Sequence, residues 1–312
     1  MSEMLAANIS NIQHFNVHDG TGLRTTIFFQ GCGLRCAWCQ NPELLSMEPV
    51  MMFSEQLCTH CMACTEACPT GALAWAEGVF SYDASLCTHC GRCEEACYFL
   101  ARSFSSHPMT VVQVFKESTV DELFYRGGGG VTLSGGEPLL QCSFLLPLLQ
   151  QLKSRQIDVT VETAGFVPWE NFKQVLPLVD TFFYDLKLCS ASLRKAYLGT
   201  DSTQMLENLE RLAATNAHIV LRIPLIPGVN DTAEEFGKLL AFAGRLPGIR
   251  EIHILPFHQL GASKYEMTGQ PYRMAHVQTE NETNIRRCIQ AAEAHGYRVS
   301  RGGAGFKMEG NK

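Results

Sequence analysis

The sequence predicts an α/β fold in which parallel strands alternate with helices, interrupted once by a cysteine-rich segment. After residue 108 of 312, short β-branched or aromatic runs alternate with longer segments whose apolar residues recur at helical spacing. Strand–helix alternation of this length is typical of parallel strands joined by right-handed crossovers. Residues 50–107 lack this alternation and are rich in cysteine.

The predicted elements follow one another in a regular order. Strands are predicted at 24–30, 131–133, 158–162, 181–186, 219–223, 251–255 and 297–300. Helices are predicted at 110–126, 139–155, 169–178, 205–215, 233–246 and 279–295. These make about six βα units, and the pattern alone leaves open a partial barrel or a flat doubly wound sheet. In either arrangement, motifs that follow the strands line a site at their carboxyl ends.

Composition excludes several classes of protein. Hydrophobic residues make up 46% of the chain and charged residues 18%, which excludes a disordered chain. The net charge of −6 disfavours general nucleic-acid binding. No apolar run is long enough to span a membrane, and the N-terminus lacks the pattern of a signal peptide. We therefore expect a cytoplasmic protein with neither a membrane nor a nucleic-acid partner.

Cysteine is unevenly distributed, since eleven of the 14 cysteines lie between Cys32 and Cys97. Cytosolic thiols are kept reduced, so this cluster indicates metal ligation rather than disulfides. Cys32, Cys36 and Cys39 have the spacing C-x3-C-x2-C, which can hold three irons of a [4Fe–4S] cluster and leave the fourth iron open. From the spacing alone, a structural zinc loop with a distant fourth ligand remains an alternative.

A second cysteine motif, C-x2-C-x2-C-x3-C, occurs twice, at 58–68 and again 29 residues later at 87–97. It is the bacterial ferredoxin run, in which the fourth cysteine ligates the other cluster. The sequence therefore predicts two further [4Fe–4S] clusters. One is assigned to Cys58, Cys61, Cys64 and Cys97, and the other to Cys87, Cys90, Cys93 and Cys68. The sequence leaves open whether they relay electrons or serve in docking or folding.

The surroundings of the three-cysteine loop carry a family resemblance. Residues 19–24 (DGTGLR) and 31–43 (GCGLRCAWCQNPE) resemble the start of the radical S-adenosylmethionine (SAM) enzymes. More narrowly, they resemble the activating enzymes of glycyl radical enzymes, of the pyruvate formate-lyase type, in the long form with a ferredoxin-like insert. Thr21 stands where the family usually has proline. The match extends over nearly the whole chain.

The resemblance implies a fold and a set of domains. The fold is a partial (β/α)6 TIM-type barrel with an inserted ferredoxin-like bis-[4Fe–4S] domain. Residues 1–49 would start the barrel and carry the cluster loop, residues 50–107 would form the insert, and residues 108–312 would complete the barrel.

The resemblance also implies an activity. SAM would bind the open iron, and an electron from the reduced cluster would cleave SAM to methionine and a 5′-deoxyadenosyl radical. This radical would abstract an α-hydrogen from a glycine of a partner glycyl radical enzyme. Reduced flavodoxin or ferredoxin would donate the electron, and we expect a monomer.

Strand-end motifs are assigned to SAM through the same resemblance. The motif for its methionyl amino group matches Gly135, Gly136 and Glu137. The Asp-x-Lys motif that contacts SAM matches Asp185, Leu186 and Lys187. Glu162 and Thr163 would join Asp185 around the carboxylate end of SAM, with a bound monovalent cation.

Further side chains are assigned to the other end of SAM and to the substrate. His258 matches a Pro-aromatic-His motif that reaches the ribose and adenine region. Trp38 and Gln40 resemble positions that pack the adenine, although a tryptophan there could equally shield the cluster from water. Asp19 and Arg222 resemble the pair that orients the glycine loop of the substrate; a structural salt bridge is the alternative for Arg222.

Two other functions remain open at this stage. One is a radical SAM enzyme that acts on a small molecule or on another peptide, which the Asp19 motif and the insert disfavour. The other is a non-catalytic iron–sulfur electron carrier. That function would account for the eight repeat cysteines, but not for the C-x3-C-x2-C loop, the Gly-Gly-Glu motif or His258.

Overall fold

The computed structural model describes residues 5–76, 79–279 and 281–303, and its largest element is a sheet of nine strands. The strands of these residues are β1 (Ala6–Asn16), β2 (Arg24–Phe29), β3 (Met51–Phe53), β4 (Leu73–Ala76), β5 (Val79–Tyr82), β6 (Arg102–Phe104), β7 (His107–Thr110), β8 (Gly130–Gly135), β9 (Asp158–Thr163), β10 (Thr181–Asp185), β11 (Ile219–Leu225), β12 (Glu251–Pro256) and β13 (Arg298–Arg301). The helices are α1 (Ala63–Glu66), α2 (Arg92–Glu95), α3 (Val111–Ser118), α4 (Cys142–Ser154), α5 (Trp169–Val175), α6 (Ala191–Leu198), α7 (Gln204–Ala213), α8 (Ala233–Ala243), α9 (Ala262–Met267) and α10 (Glu282–Ala294).

The large sheet is mixed, with the order β13-β12-β11-β10-β9-β8-β2-β1-β7. Its seven neighbouring strands from β2 to β13 run parallel, whereas β1 is antiparallel to both β2 and β7. Each consecutive parallel pair is joined by a segment that contains at least one helix. The loops after the parallel strands therefore meet at one edge of the sheet, which is where a site is expected.

The core lies between the sheet and its helices. Val131, Thr132 and Leu133 are all fully buried, so both faces of the central strand β8 are covered. Helices α3, α4, α5, α7, α8 and α10 all contribute buried side chains to the same apolar cluster. Cys288 of α10 is 1% exposed and belongs to this cluster, as the apolar spacing of its helix predicts. Within the described ranges, no helix has the length and apolar character needed to cross a bilayer.

The predicted α/β alternation is confirmed, with differences at particular elements. Each predicted strand overlaps an observed parallel strand. The predicted helix at 110–126 is too long, because α3 ends at Ser118. The Thr119 hydroxyl donates back to the carbonyl oxygens of Phe115 and Lys116, and a 3-10 turn follows at Glu122–Gly127. The helix predicted at 279–295 includes residue 280, which lies outside the described residues.

The structure also contains elements that were not predicted. The strand β1 is long but rich in asparagine, a residue depleted in strands, and its pairing with β2 shifts register twice. The helix α6 likewise carries no strong apolar periodicity. Both were missed because they depend on tertiary pairing rather than on local pattern.

Residues 51–104 form a small unit, called the cysteine-rich unit here, which lies between β2 and β7 in the chain and contributes no strand to the large sheet. Its ends pair as β3 and β6, and β4 and β5 make a hairpin inside it. The 29-residue repeat is visible in the backbone, because three aligned pairs share positive φ angles. These pairs are His60 and His89, Met62 and Gly91, and Gly71 and Leu100. The two halves of the repeat therefore fold alike.

Candidate functional site

The loops at the carboxyl edge of the parallel strands surround an open cavity of about 280 Å³, called the main cavity here. It lies where strand-end motifs converge in parallel α/β folds. Its polar and sulfur-bearing lining includes Cys32, Cys36, Cys39, Gln40, Asn41, Ser134, Glu162, Thr163, Asp185, Lys187, Arg222 and His258. The main cavity thus gathers residues from six of the seven parallel strand ends.

The three-cysteine loop forms one wall of the main cavity, immediately after β2. Its backbone is attached to the end of α6, since the amides of Arg35 and Ala37 donate to the carbonyl oxygens of Leu198 and Tyr197 at 2.9 and 2.8 Å. The Arg35 guanidinium also donates to the Cys32 carbonyl oxygen at 2.7 Å. These bonds hold the loop so that all three cysteines face one cavity.

The electrostatic surroundings of this loop favour neutral thiols when no metal is bound. Burial raises the pKa of Cys32 and of Cys39 to about 12, and it also raises the pKa of Cys36. Lys187 opposes these shifts from across the main cavity. Metal ligation by these residues therefore has to release protons, and affinity should rise with pH.

Two consecutive glycines bring the end of β8 close to the cysteine loop. Gly135 has φ of +113°, and a Cβ at Gly136 would lie 2.2 Å from the Gly31 carbonyl oxygen. The Glu137 amide donates to that same oxygen at 2.8 Å. Only glycine permits this approach, so the motif keeps the backbone of residues 135–136 on the cavity wall.

The carboxylate of Glu137 is directed away from the main cavity and holds the turn after β9. Its oxygens accept from the Thr163 hydroxyl at 2.8 and 2.9 Å and from the Ala164 amide at 3.0 Å. The side chain is buried, and burial raises its pKa to about 7. Glu137 therefore shapes the site and does not line it.

A network of charged side chains occupies the opposite wall. Arg222 is hydrogen-bonded to Glu162, and the Ser134 hydroxyl donates to the other Glu162 oxygen at 2.5 Å. Lys187 donates to Asp185 at 2.7 Å. Burial raises the pKa of Glu162 to about 7, and the charge of Arg222 limits this rise. The network concentrates both signs of charge around one point.

This charged network has two buried polar atoms without a hydrogen-bond partner among the described residues. They are Asp185 Oδ1 and Arg222 Nε, and they lie 3.7 Å apart, which is too far for a hydrogen bond. Buried polar groups are normally satisfied, so both atoms are available to a polar ligand. Asp185 Oδ1 can accept a hydrogen bond or bind a cation, and Arg222 Nε can donate to an acceptor.

The third wall comes from the loop after β12. His258 lines the main cavity, and Gln40 ties this loop to the cysteine loop. The Gln40 amide group donates to the His258 carbonyl oxygen at 3.0 Å, and its oxygen accepts from the Gly261 amide at 2.9 Å. Trp38 lines the same cavity, although it is 5% exposed and packs among apolar side chains.

Most of the residues predicted to bind SAM line the main cavity. Of the residues predicted to contact SAM or the substrate, three do not line it, and they are Glu137, Leu186 and Asp19. The side chain of Leu186 is buried in the core. The Asp19 carboxylate accepts from Asn16 at 2.7 Å and from Thr26 at 3.0 Å, and it raises the pKa of both Glu162 and Arg222. Asp19 thus acts on the charged wall from behind it.

Two residues that hold the site were missed. Ser134 bonds Glu162, and Tyr265 of α9 donates to the Cys39 carbonyl oxygen at 3.0 Å. Ser134 could have been found, because it immediately precedes the Gly-Gly-Glu motif. Tyr265 carried no signal, since its role depends on where α9 packs.

Two smaller cavities in the cysteine-rich unit are each lined by four cysteines. One, called the Cys58 cavity, is lined by Cys58, Cys61, Cys64 and Cys97. The other, called the Cys87 cavity, is lined by Cys68, Cys87, Cys90 and Cys93. Each combines three cysteines of one run with the fourth of the other run. Within the described ranges, no three His, Cys, Asp or Glu side chains are placed to hold a single metal ion.

The family models identify the chain. The model described as the radical SAM superfamily matches residues 85–243, which is 159 of 312 residues and more than half of the chain. The chain belongs to the radical SAM superfamily. Models described as a 4Fe-4S dicluster domain and a 4Fe-4S single cluster domain match residues 57–101 and 18–72. This radical SAM enzyme therefore uses SAM together with iron–sulfur clusters.

Similar proteins narrow the family further. The indoleacetate decarboxylase activating enzyme of Tractidigestivibacter scatoligenes is 35% identical, over 94% of this chain and 96% of its own length. The pyruvate formate-lyase 2-activating enzyme of Escherichia coli (strain K12) is 33% identical, over 95% of this chain and 93% of its own length. This radical SAM enzyme therefore belongs to the glycyl radical enzyme activating enzymes, which are oxidoreductases.

Solved structures agree on the fold. The crystal structure of Streptococcus suis SuiB bound to the precursor peptide SuiA matches with a TM-score of 0.51 and 10% sequence identity. The match covers 91% of this chain and 49% of that chain. At this identity the likeness supports the α/β fold alone.

Proposed function

We propose that the main cavity binds SAM against a [4Fe–4S] cluster held by Cys32, Cys36 and Cys39, and that the product radical acts on a glycine of a partner enzyme. The observation that carries this proposal is the convergence in one cavity of the three cysteines and the unpartnered Asp185 and Arg222 atoms. When bound, the cluster and SAM supply reductive cleavage to methionine and a 5′-deoxyadenosyl radical, which takes the α-hydrogen of the glycine.

The residues of the main cavity fit this ligand. Three thiolates leave one iron of a cube open, and the glycine backbone at 135–136 lies beside the loop that holds them. We assign the amino group of SAM to this backbone and its carboxylate to the wall of Thr163, Asp185 and Lys187. A monovalent cation bound at Asp185 Oδ1 would join the carboxylate of SAM to this wall.

The opposite end of SAM is assigned to the loops that Gln40 joins. His258 and the Trp38 region would bound the ribose and adenine. Because Gln40 is hydrogen-bonded to the loop after β12, it would hold that loop and the cysteine loop in place around the nucleoside of SAM. These apolar and polar walls would also exclude water from the radical.

The substrate side of the site is assigned to Arg222, with Asp19 behind it. Arg222 stacks its guanidinium over Phe183 at 5.5 Å and remains bonded to Glu162, so its position is fixed before a substrate arrives. Burial lowers the pKa of Arg222, but Glu162 and Asp185 raise it by more. A fixed cation beside the radical would hold the carbonyl oxygen of a glycine-containing loop.

The cysteine-rich unit is assigned two further clusters, one in the Cys58 cavity and one in the Cys87 cavity. The support is that four cysteines line each cavity, three from one run and the fourth from the other, as in the ferredoxin run. The chain would therefore be a partial (β/α)6 barrel with an inserted ferredoxin-like domain at 50–107. We also propose a cytoplasmic monomer that accepts electrons from flavodoxin or ferredoxin and docks a glycyl radical enzyme.

The test is anaerobic reconstitution of wild type and of the Cys32→Ala/Cys36→Ala/Cys39→Ala variant, with iron counting and SAM cleavage. We expect about twelve irons in wild type and about eight in the variant. After dithionite and SAM are added, only wild type should form 5′-deoxyadenosine. Cys142→Ala is the matched control, because Cys142 is buried in the core and lines none of the three cavities.

Other outcomes would contradict defined parts of the proposal. Four or fewer irons in wild type would overturn the two clusters of the cysteine-rich unit. Twelve irons without 5′-deoxyadenosine would favour a non-catalytic electron carrier. Cleavage of SAM without a glycyl radical on any glycyl radical enzyme supplied would favour a small molecule or another peptide as substrate.

A further inference from the structure

The two four-cysteine cavities differ at one position of the 29-residue repeat. Leu73 lies five residues after Cys68, the fourth cysteine of the first run, and Arg102 lies five residues after Cys97, the fourth of the second. Leu73 lines the Cys87 cavity, and Arg102 lines the Cys58 cavity. The repeat thus places an aliphatic side chain at one cavity and a cation at the other.

Arg102 is held firmly in an unusual setting for a charged residue. It is 3% exposed, and its Nε donates to the Cys64 sulfur at 3.2 Å. Its guanidinium carbon lies 4.3 Å from the ring centre of Phe53 and 4.7 Å from that of Phe80. No carboxylate of the described residues forms a salt bridge with it.

The guanidinium has unused donor capacity beside the Cys58 cavity. Its Nη2 atom is buried and has no hydrogen-bond partner in the described part of the chain. The Cys87 cavity instead has the neutral Tyr82 hydroxyl, which interacts with Cys87. The two cavities therefore offer donors of different charge to the sulfur atoms that they surround.

A buried cation at a cluster has a defined electrostatic effect. Reduction adds one negative charge to an iron–sulfur cluster, and hydrogen bonds to its sulfur ligands stabilise that charge. Arginine stays protonated in proteins, and water screens a buried charge little. A cluster beside Arg102 is thus easier to reduce than one beside a leucine.

We propose that Arg102 raises the reduction potential of the cluster in the Cys58 cavity above that of the cluster in the Cys87 cavity. This inference rests on the proposed assignment of one cluster to each cavity. Arg102 would then determine which cluster is reduced first, because an electron that enters the cysteine-rich unit reduces the cluster of higher potential, in the Cys58 cavity.

The experiment is a redox titration, followed by electron paramagnetic resonance, of the full-length reconstituted chain. Arg102→Met keeps an unbranched apolar side chain between Phe53 and Phe80 but removes the charge and the donor. Arg102→Lys keeps the charge. Leu73→Met is the matched control at the repeat-related position of the Cys87 cavity. The Cys32→Ala/Cys36→Ala/Cys39→Ala background removes the signal of the third cluster.

We expect Arg102→Met to lower one midpoint potential by at least a tenfold change in the reduction equilibrium, about 59 mV for one electron. The other midpoint should move much less, Arg102→Lys should keep most of the wild-type potential, and Leu73→Met should change neither. Two unmoved midpoints, or two that fall equally, would overturn the inference. Selective loss of four irons in Arg102→Met, with retention in Arg102→Lys, would give Arg102 a structural role instead.

Iron content separates failure of this inference from failure of the assignment beneath it. The parent background should hold about eight irons before any titration. A count near four or below would overturn the two-cluster assignment itself. A count near eight with unmoved midpoints would overturn only the role of Arg102.

Discussion

Glu137 is buried behind the wall of the main cavity, whereas Glu162 is partly buried and lines it, and the two environments have different consequences. Glu162 lies against Arg222, whereas Glu137 accepts only neutral donors from Thr163, Ala164 and Leu139. Burial raises the pKa of Glu137 to about 7. Its protonated form is therefore favoured in the fold, and stability is lost as pH rises from the unfolded value through about 7.

We predict that Glu137→Gln becomes more stable relative to wild type as pH rises from 5 to 8. The variant has no proton to lose at this position. Wild type loses up to about 3 kcal/mol of its free energy of unfolding, because the pKa of Glu137 rises from 4.5 to about 7 on folding and each pH unit corresponds to about 1.36 kcal/mol. Anaerobic thermal unfolding across this pH range measures the difference. Glu162 is present in both proteins, so its contribution to the pH dependence of stability cancels in the difference between them. A difference that is constant with pH would contradict the raised pKa of Glu137.

A second prediction concerns the contact between β8 and the cysteine loop. Gly136→Ala would place a Cβ 2.2 Å from the Gly31 carbonyl oxygen, so one of the two backbones must move. We expect SAM affinity to fall at least tenfold, about 1.4 kcal/mol. Titration calorimetry on the reconstituted protein measures this.

Gly237→Ala is the matched control for that substitution. Gly237 lies on the exposed side of α8, and a Cβ there meets nothing within 4 Å. Alanine should stabilise this helix by about 0.5–1 kcal/mol and leave SAM binding unchanged. Equal SAM affinity in both variants would show that the β8 contact does not shape the site.

Motifs predicted which residues meet at the main cavity better than they predicted the direction of each side chain. Both glycines of the Gly-Gly-Glu motif line the main cavity, and their contact with SAM stays a prediction. The direction of Glu137 could not be predicted, because it is set by donors on the turn after β9. Those donors lie 26 and 27 residues away in sequence.

Among the elements, the pairing of β3 with β6 determines how the cysteine-rich unit joins the sheet. Phe53 and Arg102 lie directly opposite each other in this antiparallel pair. A two-residue turn can therefore join them without moving either strand. The large sheet would keep the same entry and exit points.

We predict that replacing residues 54–101 by Asn-Gly gives a folded protein with about four irons instead of about twelve. It should still cleave SAM when dithionite supplies the electron, because the main cavity contains no residue of the deleted segment. Iron counting and 5′-deoxyadenosine assays measure both results. As a control, Cys32→Ala/Cys36→Ala/Cys39→Ala in the deletion variant should remove the remaining irons. Loss of the large sheet by circular dichroism would contradict this modular arrangement.

Elements were predictable to the extent that their stability is local. The strand β9 was found because its β-branched residues Val159, Thr160 and Val161 form a continuous buried run, and α8 because its apolar spacing is helical. The strands β3 and β6 are three residues each and exist only because they pair across about fifty residues. No local pattern reports such a pairing.

Over the whole molecule, the large sheet has one open cavity at the carboxyl ends of its parallel strands and another near their amino ends. The carboxyl edge carries the main cavity, and another open cavity lies near residues 119–129 and 155–158, before the strands β8 and β9 begin. That second cavity contains no cysteine, and among its lining residues are Gly128, Gly129 and Asp158. A ligand of the carboxyl edge should therefore affect one edge only.

We predict that SAM slows amide hydrogen exchange at 34–41, 134–137, 162–165, 185–188 and 255–261, and leaves 119–129 unchanged. Binding stabilises the segments that it contacts, because exchange there requires the ligand to leave or the segment to open. Hydrogen-exchange mass spectrometry of the reconstituted protein with and without SAM measures this. Uniform protection of both edges would indicate general stiffening, and protection of 119–129 alone would place the ligand elsewhere.

The matched backbone angles in the two halves of the cysteine-rich unit also bear on its evolutionary origin. His60 and His89 share a left-handed conformation that side chains normally avoid, as do Met62 and Gly91. The same uncommon geometry at the same 29-residue spacing is the pattern that duplication of a single half leaves. The backbone has kept that inheritance, while Leu73 and Arg102 have diverged. Two identical sites thereby became free to acquire separate tasks.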